Sequence, residues 1–243
     1  MHLGLGDLLQ TRAPEAAVHH YGRVLAQLPT HSGALNNLAL VHKAAGRLAD
    51  ARELLERAVA ARPEMVEACN NLGNLLLDLG ETDAAIQRYE QALAAQPDNP
   101  LTQIHLGNAL RLAGRHDAAR AVLQACLARH PGQSGAYNNL GVLLDAENRH
   151  SDAIEVFQAA LQHAPQDAAI WANLSGALLA SGKREDARAA CDRALALHPA
   201  SAVARFALAN LQLLEGDWLA GWQNYEFRWQ GGQQAGRRAP RPA

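Results

Sequence analysis

Aromatic residues make up only 5% of the 243 positions, too few for a protein built on sheets, which favour aromatic and β-branched side chains. Lysine is scarcer still: of 22 basic residues only Lys43 and Lys183 are lysines, which we read as coding bias. Cysteine is limited to Cys69, Cys126 and Cys191, an odd count with no CxxC and no Cys/His metal-ligand spacing. No apolar run reaches the roughly 18 residues that would suggest a membrane span. The start, Met1-His2-Leu3-Gly4-Leu5-Gly6-Asp7, lacks the basic residues and apolar stretch of a signal peptide. A net charge of -2 and a pI near 6.6 give no reason to expect nucleic acid or an anionic membrane as partner. There is no GxSxG, no phosphate loop and no Gly-rich nucleotide site, so we expect no catalytic residue, no cofactor and no metal. The expectation is a soluble, cytoplasmic protein that is not an enzyme in this chain.

What the chain does have is a ruler. Pro29, Pro63, Pro97, Pro131, Pro165 and Pro199 follow one another at a spacing of 34 residues. Proline disfavours helix for the residue before it, so each should end a helix. A second series, Gly46, Gly80, Gly114, Asn148, Gly182 and Gly216, has the same spacing. Glycine, with asparagine as its usual substitute, suits the left-handed residue after a helix C-terminus. Each unit should therefore be a helix, a Gly turn, a second helix and a Pro turn. Apolar spacing agrees: Tyr137, Leu140, Gly141 and Leu144 mark one face of a first helix, and Ala153, Phe157, Ala160 and Leu161 one face of a second. Asp83, Asp117, Ser151 and Glu185 fall where second helices begin, where an acidic or hydroxyl side chain suits the helix dipole.

These residues resemble the tetratricopeptide repeat, whose pattern is W-x2-L-G-x2-Y…A-x3-F…P. Here they read Tyr137-x2-Leu140-Gly141-x2-Leu144…Ala153-x3-Phe157…Pro165 and Trp171-x2-Leu174-Ser175…Ala187-x3-Cys191…Pro199. The resemblance implies an all-α, right-handed superhelical solenoid of 34-residue helix-turn-helix units, used for protein–protein interaction. We place a degenerate N-terminal repeat at 1–31 and five repeats at 32–65, 66–99, 100–133, 134–167 and 168–201. A sixth follows at 202–230, with a disordered tail over 231–243.

The candidate site is a row of amides. Asn37, Asn71, His105, Asn139 and Asn173 share one place in successive first helices, just before a leucine recurring at 34-residue spacing. Asn74 and Asn108 lie one turn further on, and Asn36, Asn70 and Asn138 sit beside the row. An Asn side chain carries donor and acceptor, so it can pair with the N–H and C=O of a peptide. Helix packing distances put neighbouring rungs ~10 Å apart, about one rung for every third residue of an extended chain. The expected ligand is therefore an extended peptide held by its backbone. The competing reading is that the amides bond one another and stabilise the stack. A clamp for an acidic C-terminus is disfavoured, because only Lys43 and Arg111 supply positive charge near the row.

The last helical stretch differs. Trp218, Trp222, Tyr225 and Trp229 recur at spacings of 4, 3 and 4, an aromatic stripe with Trp218, Trp222 and Trp229 as a candidate partner- or domain-docking face. This stretch and the Asn-Leu-Gly-Asn repeats are similar to the repeat region of O-linked N-acetylglucosamine transferases and bacterial repeat–glycosyltransferase proteins. That resemblance implies an alternative role as substrate-recognition arm, with a C-terminal glycosyltransferase domain as partner. A homodimer through the last helix is a further possibility the stripe raises.

Overall fold

The computed structural model describes residues 2–9 and 13–226, the side chains of Asp7 and Leu8 excepted. Trp229 and the 231–243 tail lie outside the described residues. Those residues form helices without a strand, in two compact units, Met1–Arg115 and His116–Ala243. The N-terminal unit contains α1 (His2–Leu9), α2 (Pro14–Gln27), α3 (Ser32–Ala44), α4 (Leu48–Ala61), α5 (Val66–Asp78), α6 (Thr82–Ala95) and α7 (Pro100–Leu112). The C-terminal unit contains α8 (His116–Arg129), α9 (Ser134–Ala146), α10 (His150–His163), α11 (Ala168–Ala180), α12 (Arg184–Leu197), α13 (Ala202–Glu215) and α14 (Trp218–Tyr225). Within each unit the two helices of a repeat pack as a pair, and each second helix packs on the first helix of the repeat after it.

Both rulers act as the physics of their residues requires. The residues preceding Pro29, Pro63, Pro97, Pro165 and Pro199 have φ between -132° and -147° and ψ between 67° and 86°, the extended backbone that a following proline imposes. Every member of the glycine series has positive φ, and Asn148, at 61°, is the one non-glycine residue to do so among the described residues. Asparagine tolerates this left-handed turn where most side chains would not. Side-chain caps sit elsewhere than expected. His31, Asn99, Asp167 and Ser201, two residues past a ruler proline, accept backbone N–H groups at the start of first helices. The second helices α4, α6, α10 and α12 begin with no side-chain cap. There Asp83, Asp152 and Glu185 only complement the dipole of the first turn.

Packing within a pair depends on matched sizes. Tyr89 and Phe157 are buried against the backbone of Gly73 and Gly141, and a Cβ on either glycine would stand 2.5 Å from a ring carbon. Tyr21 meets Gly6 in the same way. The first pair, α1 with α2, is thus locked like the regular ones, although Leu3 to Gln10 match the repeat pattern poorly. A smaller partner fills the matching place in another pair, where the Ser175 hydroxyl donates to Ala187 O at 2.7 Å and Cys191 is fully buried.

The turn prolines leave a carbonyl that no helix satisfies. Gln103 Nε2 donates to Pro97 O at 2.9 Å, Trp171 Nε1 to Pro165 O at 2.9 Å and Arg205 Nε to Pro199 O at 3.0 Å. All three occupy the place the repeat pattern gives to tryptophan, and what they share is a donor, not an aromatic ring. Cys69 approaches Pro63 O at 3.6 Å in the same place. The three cysteines are free and buried, and burial raises their thiol pKa values, that of Cys191 to about 11.

Candidate functional site: the amide row

The structure splits the amides into two kinds. Asn36 is fully buried and Asn70 is only 6% exposed, so neither lies on an open face as the sequence suggested. Two adjacent helical residues point about 100° apart, and in each Asn-Asn pair of the N-terminal unit the first member turns toward the next repeat. Asn36 Nδ2 donates to Asn37 Oδ1 at 3.0 Å and to Glu67 Oε1 at 3.3 Å. Asn36 Oδ1 accepts from Asn71 Nδ2 at 2.8 Å. Asn70 Nδ2 donates to Thr102 Oγ1 at 2.8 Å, and the threonine donates to Asn99 Oδ1 at 3.1 Å. Asn70 Oδ1 has no donor among the described residues.

The second kind is partly open to solvent: Asn37, Asn71, Asn74, His105 and Asn108 in the N-terminal unit, and Asn138, Asn139 and Asn173 in the C-terminal unit. In the C-terminal unit Asn173 Nδ2 donates to Asn138 Oδ1 at 3.0 Å, the counterpart of the Asn71–Asn36 bond. Mutual bonding, set against peptide contact at the outset, thus takes up part of the hydrogen-bonding capacity of these amides. Asn71 and Asn173 each commit one Nδ2 hydrogen to the neighbouring repeat and keep Oδ1 and the second hydrogen.

Asn71, Asn74 and His105 line a groove of about 550 Å³ in the N-terminal unit, together with Asn70, Met65, Val66, Leu101 and the turn residues that lead into α5 and α7. The Tyr89 hydroxyl donates to Asn74 Oδ1 at 2.7 Å. The His105 ring stacks on Tyr89, centroids 5.6 Å apart and planes at 19°. Burial pushes the Tyr89 phenol well above its ordinary pKa and lowers that of His105, so the imidazole is neutral near pH 7. One rim of the groove carries the exposed Arg62–Glu64 ion pair at 3.0 Å. Lys43 and Arg111, the cations near the row, are engaged: Lys43 with Asp78 at 2.7 Å and Arg111 with Asn108 Oδ1 at 2.9 Å.

At the other end of the chain Trp218, Leu219 and Trp222 are 63%, 75% and 56% exposed. Trp222 meets Tyr225 edge-on at 5.3 Å, and Tyr225 packs on Phe206 at 5.4 Å. Among the described residues no group of three or more His, Cys, Asp or Glu is arranged to hold a metal, and no helix is long and apolar enough to cross a membrane.

Models of the tetratricopeptide repeat match residues 70–134 and 173–220, 110–174 and 144–196, and 30–98, so that between them they run from 30 to 220. The chain belongs to the tetratricopeptide-repeat family. Repeats of this family generally serve as scaffolds for protein interaction. Among solved structures, a tetratricopeptide repeat protein from Parabacteroides merdae ATCC 43184 superposes with a TM-score of 0.80 at 15% identity, covering 93% of this chain and 90% of that one. TTC0263, a thermophilic repeat protein of Thermus thermophilus, gives 0.65 at 22% identity over 75% and 99% of the two chains. YrrB, described as having an unusual peptide-binding site, gives 0.54 at 20% identity over 76% and 95%. Identities this low establish the tetratricopeptide fold alone. None of the curated proteins matches the sequence. The likeness to O-linked N-acetylglucosamine transferases therefore rests only on the residues that suggested it.

Proposed function

We propose that this tetratricopeptide chain is a cytoplasmic interaction scaffold that holds extended polypeptide through Asn37, Asn71, Asn74, His105 and Asn108 in the N-terminal unit, with Asn139 and Asn173 as the corresponding positions of the C-terminal unit. The observation that carries this reading is the groove of about 550 Å³ in which Asn71, Asn74 and His105 sit together, each with hydrogen-bonding capacity the fold does not use. Apolar Val66 and Leu101 beside them suit the side chains of an extended ligand, and the amides suit its backbone. An acidic tail is a poor fit, because the nearby cations already have partners. YrrB, a protein of the same fold, carries a peptide-binding site by its own description, which agrees with this use of the scaffold.

The test is capture of a fluorescent, capped Ser/Val/Ala peptide by the chain and by a double variant, Asn71→Ala with Asn74→Ala. Binding should fall at least tenfold while the helical circular dichroism is kept. Unchanged binding would sink the proposal.

A second reading is favoured by the exposed Trp218, Leu219 and Trp222: these repeats form the recognition arm of a longer glycosyltransferase-like protein. An apolar surface of this kind at the end of a repeat stack marks an attachment face. Sequencing the coding DNA beyond Ala243 decides it, and an open frame encoding a nucleotide-sugar domain is the supporting result.

A further inference from the structure

We infer that the groove beside α5 selects polypeptide carrying a basic side chain, lysine or arginine, and that Glu67 is the residue that reads it. This rests on the peptide-binding reading above and adds a ligand class to it.

The residues of fixed charge that line the groove are Arg62, Glu64 and Glu67. Arg62 and Glu64 offset each other at 3.0 Å, so the charge left over is that of Glu67. Lys43, the lysine near the row, is held by Asp78 at 2.7 Å. Glu67 is exposed, and it accepts from Asn36 Nδ2 at 3.3 Å, long for an N–H···O bond. A carboxylate has about four lone-pair positions, so most of its capacity stays open. The dipole of α5 favours an acid in its first turn, but it supplies no counter-charge and fills no lone pair. Asn70, 6% exposed, lines the same groove, and its Oδ1 also lacks a donor. The unmet groups at this end are therefore acceptors, one of them charged.

Glu67, Asn70, Asn71 and Asn74 stand at i, i+3, i+4 and i+7 on α5 and form one stripe. Glu67 lies one turn from Asn71, about 5–6 Å between Cβ atoms. A chain held by Asn71 thus brings its side chains within reach of Glu67, whichever way it runs. Met65 and Leu101, the latter 55% exposed, line the groove beside the carboxylate. They suit the methylene stem of lysine or arginine, whose head then makes a charge-assisted bond to Glu67. An acidic side chain in that place meets an uncompensated like charge. The device belongs to one repeat. At 34-residue spacing Glu67 corresponds to Gly33, Leu101, Gly135, Ala169 and Val203, none of them charged. Amide rungs recur along the chain, and the carboxylate does not.

The experiment uses the full chain and fluorescent capped peptides based on acetyl-Ser-Val-Ala-Ser-Val-Ala-amide. Each position in turn carries lysine, norleucine or glutamate; norleucine keeps the stem without the ammonium. Affinities are read by fluorescence anisotropy. At the most responsive position lysine should bind about three- to fivefold more tightly than norleucine, the range of a partly exposed ion pair, and glutamate more weakly than both. Glu67→Gln keeps an acceptor for Asn36 and should bring the lysine-to-norleucine ratio to about one, and Glu67→Lys should turn the preference toward glutamate. Equal binding of lysine and norleucine peptides at every position in the wild-type chain overturns the inference and leaves the peptide-binding reading standing. A lysine preference that survives Glu67→Gln also overturns it. No binding of any peptide at millimolar concentration overturns the peptide-binding reading and this inference together.

Discussion

Asn71 is followed one turn later by Asn74, and His105 by Asn108, whereas in the C-terminal unit Asn139 is followed by Val142 and Asn173 by Gly176. The two units share one plan of rulers, turns and inter-repeat amide bonds. They differ in that the Asn71 and His105 rungs have a second polar group one turn on, whereas Asn139 and Asn173, like Asn37 before Leu40, have none. Scaffold and site are thus specified by different positions, and a unit can keep every scaffold residue while losing half of a rung.

The largest expected effect contrasts two glycines of first helices. Gly73→Ala drives a methyl group into the buried Tyr89 ring and should cost about 1–3 kcal/mol in urea denaturation. Gly176→Ala meets nothing within 4 Å and should stabilise the C-terminal unit by about 0.5–1 kcal/mol, the helix gain of alanine over glycine. Equal costs at the two sites would erase the distinction drawn between them.

Next comes the buried amide. Asn36→Ala leaves Asn71 Nδ2 without its acceptor and should cost about 1–2 kcal/mol. Asn138→Ala, at a half-buried counterpart, should cost about half as much. Thermal melts of the two variants measure the difference.

Acid should weaken the N-terminal unit through His105. Its folded pKa lies below the unfolded value near 6.5, so the unfolded chain binds the extra proton first. The contribution is fully present above pH 6.5 and is lost as pH falls through the folded value. His105→Asn, which completes the row, should remove that part of the pH dependence, seen as a flatter melting temperature between pH 7 and 5. An unchanged slope would contradict the burial argument.

The smallest effect on stability and the most direct on the comparison is Gly176→Asn. It supplies the second polar side chain that the Asn173 rung lacks, in open space. Stability should shift by no more than about 0.5 kcal/mol, because asparagine differs little from glycine as a helix former. NMR should then show the capped peptide bound in the C-terminal unit as well.

The repeat architecture was legible because its markers are backbone constraints. A proline forces the residue before it to extend, and a left-handed turn takes Gly or Asn, whatever else surrounds them. Asn148 was readable for that reason. The division of labour between Asn36 and Asn37 was not. Periodicity places both near one face, and which of the two turns toward the next repeat depends on how that repeat packs, with Glu67 waiting for Asn36 and Thr102 for Asn70. The caps at His31, Asn99, Asp167 and Ser201 recur at 34 residues or its multiples, but four different residue types fill the place, so no single letter marks it in the sequence. The proline-carbonyl donors were hidden for another reason: Gln103, Trp171 and Arg205 look unrelated by hydrophobicity and are alike only in carrying an N–H.

The Glu67–Asn36–Asn71 chain also bears on how such an array can change over generations. The chemistry that Asn71 offers is decided by a residue one repeat earlier, so a rung is the property of a junction. Duplicating a single 34-residue unit copies the side chains of a rung without the neighbour that orients them. A working rung is inherited only when two consecutive units are copied together, or when the new neighbour happens to place an asparagine where Asn36 stands.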